Sequence, residues 1–435
     1  MPGALLRSQI GLAAFAALDA HLDRRSNAPV VVGFSGGGDS LALLLAVRAW
    51  CDANGRAIVA VTIDHQLQPA SAIWARWCES RCRRLGVSHL TLAWEGPKPS
   101  TGIAAAARGA RHRLIAQAAR RVGARVVLLG HTADDLREAA LMRAAGATTS
   151  SPRVWSPSPV WPDGRGVFLL RPLLGASRST LRLLLAAEAE SWIDDPANDD
   201  LASLRARVRH ERGIEPPPGP PSCTPVAPAA LTPSLAFGPA GEVTLDRDVW
   251  SSAPAGLGAR WLGIAIACAS GREAAPRGRQ VARLADRLRQ TPELAATLGG
   301  ASVLARRGEI LLARESSDGR RPPCALVVEP GDEAVWDGRF LVRARQRATF
   351  THVAGRASAL SRPLRARLAQ LDPAARRGVP LARFCDGDLA LPSLTADPRL
   401  LVAPLAAERF AAAAGAFQHE SAMVQWRNDH WAPSL

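Results

Sequence analysis

VVVGFSGGGDSLALLLAVRAW, residues 30–50, is the stretch that decides the fold. It opens with an apolar, β-branched run and closes with leucines and alanines at helical spacing. Between them stand Ser35, Gly36, Gly37, Gly38, Asp39 and Ser40. A buried-type strand therefore turns through three glycines into a helix. Without Cβ atoms the glycines let backbone N–H groups crowd inward at the helix N-terminus, where free donors and the helix dipole attract an anion. Ser35 and Ser40 add hydroxyl donors. Asp39 has the wrong charge for direct contact with phosphate and the right one for holding Mg2+ against it. The loop is not G-x-x-x-x-G-K-[ST], and the only lysine of the chain, Lys98, lies between two prolines far from it. Nor does it carry G-x-G-x-x-G in the dinucleotide register.

Outward from this loop the pattern repeats. Apolar runs at Val30–Phe34, Ile58–Ile63, Leu90–Trp94 and Val126–Gly130 alternate with helical spacing over Leu41–Cys51, Ala70–Leu85 and Thr101–Val122. Buried strands separated by helices predict an α/β, doubly wound parallel sheet, with ligands at the C-terminal strand ends near the switch point. The reading gives a catalytic domain over 1–214 and a Pro-rich linker over 215–235, where proline removes donors and fixes φ. Smaller α+β regions follow at 236–325 (helical, then a hairpin) and 326–435. Within them Val243–Arg289 reads as helical, 297–314 as a hairpin around Arg307–Gly308, and Ala334–Val342 as short strands.

Bulk composition narrows the class. Of 435 residues, 47% are hydrophobic and 21% charged, an ordinary balance for a globular chain. The N-terminal stretch has no cleavage-site pattern, and Asp19 interrupts its apolar run, so an amphipathic first helix is expected with neither signal peptide nor membrane span. Seven scattered cysteines without a C-x-x-C argue against a disulfide framework or a zinc ribbon and fit a reducing, cytoplasmic setting. A net charge of +15 favours a polyanionic partner such as RNA.

Further segments stand in order behind the loop: Asp64-His65-Gln66-Leu67-Gln68-Pro69-Ala70-Ser71, Thr101-Gly102-Ile103 with Ala105–Arg113, and Gly130-His131-Thr132-Ala133-Asp134-Asp135-Leu136-Arg137-Glu138. A fourth runs from Arg171-Pro172-Leu173-Leu174 through Asp194–Asp199 to Arg205–Arg209. The loop resembles the S-G-G-x-D-S signature of the PP-loop ATP-pyrophosphatases, and the set, covering about the first 210 residues, resembles the tRNA(Ile)-lysidine synthase family. The resemblance departs from the family at Leu136, where Gln is usual, at Ala139, where Thr is usual, and at Gln68, where Arg is usual.

The resemblance implies ATP and Mg2+ as cofactors, with tRNA (isoleucine, CAU anticodon) and free L-lysine as partners, and it admits a homodimer. Lysine would be ligated to the wobble cytidine through an adenylated intermediate. Residues 35–40 and Asp64 would bind ATP, with Asp39 on the metal. Asp134, Asp135 and Glu138 would bind lysine, and Asp134 or Asp135 would accept its proton. Acidic residues in a first helical turn also serve the helix dipole. Arg111, Arg113, Arg205, Arg207 and Arg209 would contact tRNA phosphates. The competing readings are another PP-loop tRNA enzyme, such as a sulfurtransferase, and a degenerate relative that binds tRNA or ATP without catalysis. The first usually needs a cysteine that the motifs lack.

Overall fold

Val30–Gly33 forms β1, the strand on which the rest of the first unit is laid. It pairs in parallel with β2 (Ile58–Asp64) on one side and β4 (Val126–Leu129) on the other. The sheet has six strands in the order β3-β2-β1-β4-β6-β5, with β3 at Ser88–Ala93, β5 at Trp155–Pro157 and β6 at Phe168–Leu170. All neighbours are parallel except β5 with β6. The chain winds outward from β1 through β2 to β3 and then returns to β4 on the far side. The switch point therefore lies between the C-terminal ends of β1 and β4, as the alternating pattern requires. The computed structural model describes residues 3–146, 151–194, 234–315 and 325–430.

Helices cover both faces of this sheet. They are α1 (Ala4–Arg7), α2 (Gln9–His21), α3 (Gly38–Asn54), α4 (Ser71–Leu85), α5 (Ile103–Arg121), α6 (Ala133–Ala144) and α7 (Arg178–Ala187). The expected single N-terminal helix is two helices broken at Ser8, whose extended backbone leaves its hydroxyl free to cap α2 by accepting from Gly11 N–H at 3.1 Å. Leu41, Leu43, Leu44 and Val47 of α3 are fully buried, so this helix reads apolar all round, as a strand-covering helix does.

The chain divides into two compact units: Met1–Thr224 with Phe417–Leu435, and Pro225–Ala416. In the second unit an antiparallel sheet runs β7-β8-β11-β10-β9, formed by Leu235–Phe237, Val243–Asp246, Leu294–Leu298 (β9), Ala301–Arg306 (β10) and Glu309–Arg314 (β11). Helices α8 (Arg247–Ser252), α9 (Ala255–Ser270) and α10 (Gly278–Gln290) follow β8. The segment Val243–Arg289 is thus a strand and then helices, not helix throughout. Val243 and Leu245 are buried and pair with β11, a period-two alternation too short to register in the sequence. The hairpin turns at Arg307–Gly308, where Arg306 faces Glu309.

Beyond it lie a four-stranded sheet (β12 Leu326–Val328, β15 Ala348–His352, β16 Pro380–Phe384, β17 Leu389–Ala390) and a three-stranded one (β13 Glu333–Trp336, β14 Phe340–Ala344, β18 Leu400–Pro404). Helices α11 (Arg362–Ala369), α12 (Pro373–Arg376) and α13 (Ala406–Ala414) complete this unit. The Pro-rich segment lies outside the described residues up to 233.

The last helix, α14 (Glu420–His430), rejoins the first unit. Glu420 accepts from Arg56 Nη1 at 2.7 Å and Nη2 at 3.1 Å, both side chains being 1% exposed. Trp155 Nε1–H donates to the Phe417 carbonyl at 2.7 Å.

Candidate active site

The loop after β1 is built by short-range hydrogen bonds. Ser40 Oγ donates to the Gly37 carbonyl at 2.8 Å and accepts from Ser35 N–H at 3.3 Å. Gly37 is the N-cap of α3, so Gly38 and Asp39 carry its first unsatisfied N–H groups. Gly36 has φ +83°, and a Cβ there would stand 2.5 Å from Ile193 Cδ1. Its carbonyl accepts from Ile193 N–H at 2.9 Å. Gly36 is therefore packed and shapes the loop, while Ser35, Gly37, Gly38, Asp39 and Ser40 line a cleft of about 780 Å³.

That cleft sits at the switch point. Its lining includes Gly33 and Gly130, at the ends of β1 and β4, with Asp64 closing β2 and His65 following it. A Cβ at Gly130 would meet the Asp39 carbonyl oxygen at 2.9 Å, so only glycine lets β4 come this close to the first turn of α3. The acidic residues of α6 gather here around one cation that reading the motifs did not single out, Arg178. Its Nε–H donates to Asp39 Oδ2 at 2.9 Å. Its Nη1 lies 3.4 Å from Glu138 Oε1 and its Nη2 3.9 Å from Asp135 Oδ2. Its backbone N–H donates to Asp134 Oδ2 at 2.8 Å.

The three acidic residues of α6 differ in their duties. Asp135, at N3, reaches back to accept from the Thr132 N–H at 2.8 Å, completing a capping box, and it also lines the cleft. Asp134 fixes the start of α7 and pairs with Arg137 at 3.6 Å. Glu138 is buried behind them. Burial pushes Asp39 above its ordinary value, and the Arg178 guanidinium pulls the other way without cancelling it. Asp39 Oδ1 is itself buried and accepts no hydrogen bond. An orphaned carboxylate oxygen in the first turn of the helix that the glycine-rich loop opens suits a hard divalent cation. Among the described residues no set of three or more His, Cys, Asp or Glu side chains is arranged to hold a metal alone. Phosphate oxygens and water must therefore supply most ligands of any metal on Asp39.

Basic and imidazole groups make the other wall. Arg108 and Arg111, one turn apart on α5, line the cleft; Arg113 does not appear on its surface. Arg111 donates to His65 Nε2 at 3.4 Å, and burial with this neighbour pushes His65 down to about 4. His65 Nδ1 therefore carries the proton. Arg171 Nε–H donates to His131 Nδ1 at 3.1 Å. Burial lowers Arg171 to about 10, still protonated near neutrality, so the His131 ring keeps its N–H on Nε2. Asp64 lines the cleft and also accepts from Gln66 N–H at 2.8 Å, capping the turn after β2.

The cleft thus gathers the loop, Asp64, Asp135 and Arg111, with Asp134 and Glu138 joined to it through Arg178. Arg205, Arg207 and Arg209 lie outside the described residues. Arg178, Arg182 and Arg171 were not read as site residues. The available signal was a pair of arginines at i and i+4 opening α7, where the helix dipole disfavours cations. No cysteine lines the cleft among the described residues; Cys78, just beneath Gly36, is buried and pushed up to about 11.

A family model described as the PP-loop domain matches residues 13–213. The chain is 45% identical over 417 residues to a tRNA(Ile)-lysidine synthase of Caulobacter vibrioides, covering 93% of this chain and 98% of that protein. It is 36% identical to one of Hyphomonas neptunium, covering 74% and 91%. With one of Rhizobium meliloti the identity is 34%, over 73% of each chain.

Proposed function

The chain belongs to the tRNA(Ile)-lysidine synthase family, and from that premise we propose that its cleft forms lysidine in tRNA in two ATP-dependent steps. In the first, the C2 carbonyl oxygen of the wobble cytidine of the minor isoleucine tRNA attacks the α-phosphorus of ATP. The bond to the bridging oxygen breaks and pyrophosphate leaves. In the second, the ε-amine of free lysine attacks C2, AMP leaves with its oxygen, and the amine gives up a proton. The observation that carries this reading is that Gly37, Gly38 and Asp39 open onto the same cleft as Asp135 and Arg111, at the sheet's switch point.

The loop 35–40 binds the outer phosphates through the backbone N–H groups at the start of α3, and pre-aimed donors of this kind stabilise the departing pyrophosphate without reorganising. Asp39 holds Mg2+, which when bound offsets phosphate charge. Arg108 and Arg111 offer guanidinium forks to nucleotide or tRNA phosphates. Asp135, with Asp134 and Glu138 behind it, attracts the lysine ammonium. Asp134 or Asp135 takes its proton, directly or through water. Arg113, with Arg205, Arg207 and Arg209, contacts tRNA phosphates.

Mass spectrometry of isoleucine tRNA incubated with ATP and lysine tests the reading. The target nucleoside should gain the mass of lysine less water. An unmodified nucleoside from folded, ATP-binding protein would contradict it, and sulfur in place of lysine would favour the thiolation alternative.

A further inference from the structure

Arg178 lines the cleft as a cation to which the sequence motifs gave no role. Three carboxylates converge on its guanidinium: Asp39 at 2.9 Å, Glu138 at 3.4 Å and Asp135 at 3.9 Å. The side chains are 20% exposed for Arg178 and Asp39, 8% for Asp135 and 6% for Glu138. Its positive charge is thus shared among three carboxylates largely withdrawn from water, where unpaired charge is expensive. The backbone around it is pinned. Arg178 N–H donates to Asp134, and Ala133 N–H donates to the Ala176 carbonyl at 2.9 Å, so the start of α7 is tied to the start of α6.

We infer that Arg178 is a resident counter-cation that keeps free divalent metal off Asp39 until nucleotide arrives, so that metal enters with ATP rather than ahead of it. The inference rests on the reading of Asp39 as the metal carboxylate. A metal ion on Asp39 Oδ1, the oxygen without a hydrogen bond, would stand across one carboxylate from the guanidinium on Oδ2. In a partly dehydrated cleft that repulsion is weakly screened. Asp39 alone is also a poor metal site, since the remaining ligands must come from elsewhere. A polyphosphate on the Gly37–Gly38 nest changes both terms at once. It supplies oxygens to the metal, and it gives Arg178, which lines the same cleft, anions whose geometry suits its fork as well as a carboxylate does. Arg182, one turn further along α7 and paired with Asp194 at 2.6 Å, lines the cleft beside it.

The test measures Mn2+ binding by electron paramagnetic resonance, with and without a non-hydrolysable ATP analogue. Wild-type protein should bind Mn2+ well only with the analogue. Arg178→Ala, and independently Arg178→Gln, which keeps bulk without charge, should bind Mn2+ alone at least about tenfold more tightly than wild type. Arg178→Lys should retain the exclusion. The gain should vanish when Asp39→Asn is added. If folded Arg178→Ala or Arg178→Gln binds free Mn2+ no better than wild type while still binding it with the analogue, the inference is overturned. If Asp39→Asn binds Mn2+ with the analogue as well as wild type, Asp39 is not the metal carboxylate. The prior reading then fails, and this inference with it.

Discussion

A methyl group at Gly130 would press on the Asp39 carbonyl at 2.9 Å and on Ser40 Cα at 3.1 Å. Gly130→Ala should therefore push β4 away from the phosphate loop. Overpacking of this kind costs about 1–3 kcal/mol, and the expected readout is a lower melting temperature with weakened ATP binding. Asp39→Asn keeps the shape and removes the charge. It should lower pyrophosphate release at least roughly a hundredfold in single-turnover assays, on the scale of losing a pre-aimed electrostatic group.

His112, 5% exposed on α5, is pushed down to about 3 by burial, with Arg108, Arg111, Arg171 and His131 adding to it. The folded state keeps it neutral while the unfolded chain takes up a proton below its ordinary 6.5. Its contribution to stability is therefore complete above that pH and lost as pH falls toward 3, by roughly 1.4 kcal/mol per unit. Urea melts across that window should show the loss, and His112→Gln should flatten it; equal slopes in both proteins would remove His112 as the cause. At this scale the loop residues were legible, because three glycines between a strand and a helix have few other uses. Arg178 was not, because its partners are distant in sequence and arginines in the first turns of a helix read as surface.

Among the elements, α6 and α7 show how one feature can serve two ends. The cluster Asp134, Asp135, Glu138 was readable as acidic residues at a strand end, yet the sequence left open whether they cap a helix or serve a ligand. Asp135 does the first through Thr132 while lining the cleft. The strand and helix order of the first unit was legible because buried parallel strands are continuous apolar runs. Val243–Asp246 was misread because a four-residue half-buried strand next to helices carries almost no periodic signal. The return of α14 to the first unit was invisible, since it depends on Arg56 meeting Glu420 across 364 positions. Glu420→Ala would leave Arg56 buried with only the Asp23 and Ala28 carbonyls. Breaking such a pair costs about 3–5 kcal/mol, and the melting temperature of the first unit should fall accordingly. An unchanged melt would mean that α14 is held instead by contacts such as that of Trp426 with the Phe417 ring, 5.8 Å between centroids.

Over the whole chain, the surplus of +15 is the property that fits a tRNA substrate. Affinity for tRNA should fall at least roughly tenfold between about 50 and 200 mM salt, as counterion release demands. Salt-independent binding would take the arginines out of phosphate contact. The charge was legible from composition, whereas its placement was not: of the two arginines expected on α5 to meet tRNA, Arg111 lines the cleft and Arg113 does not. Attack at the α-phosphorus of ATP can be read from where a label on ATP ends up. With isoleucine tRNA and no lysine, α-labelled ATP should leave its label on the tRNA, and γ-labelled ATP should yield labelled pyrophosphate. Label released as orthophosphate, or a tRNA that stays unlabelled while ATP is consumed, would contradict the account.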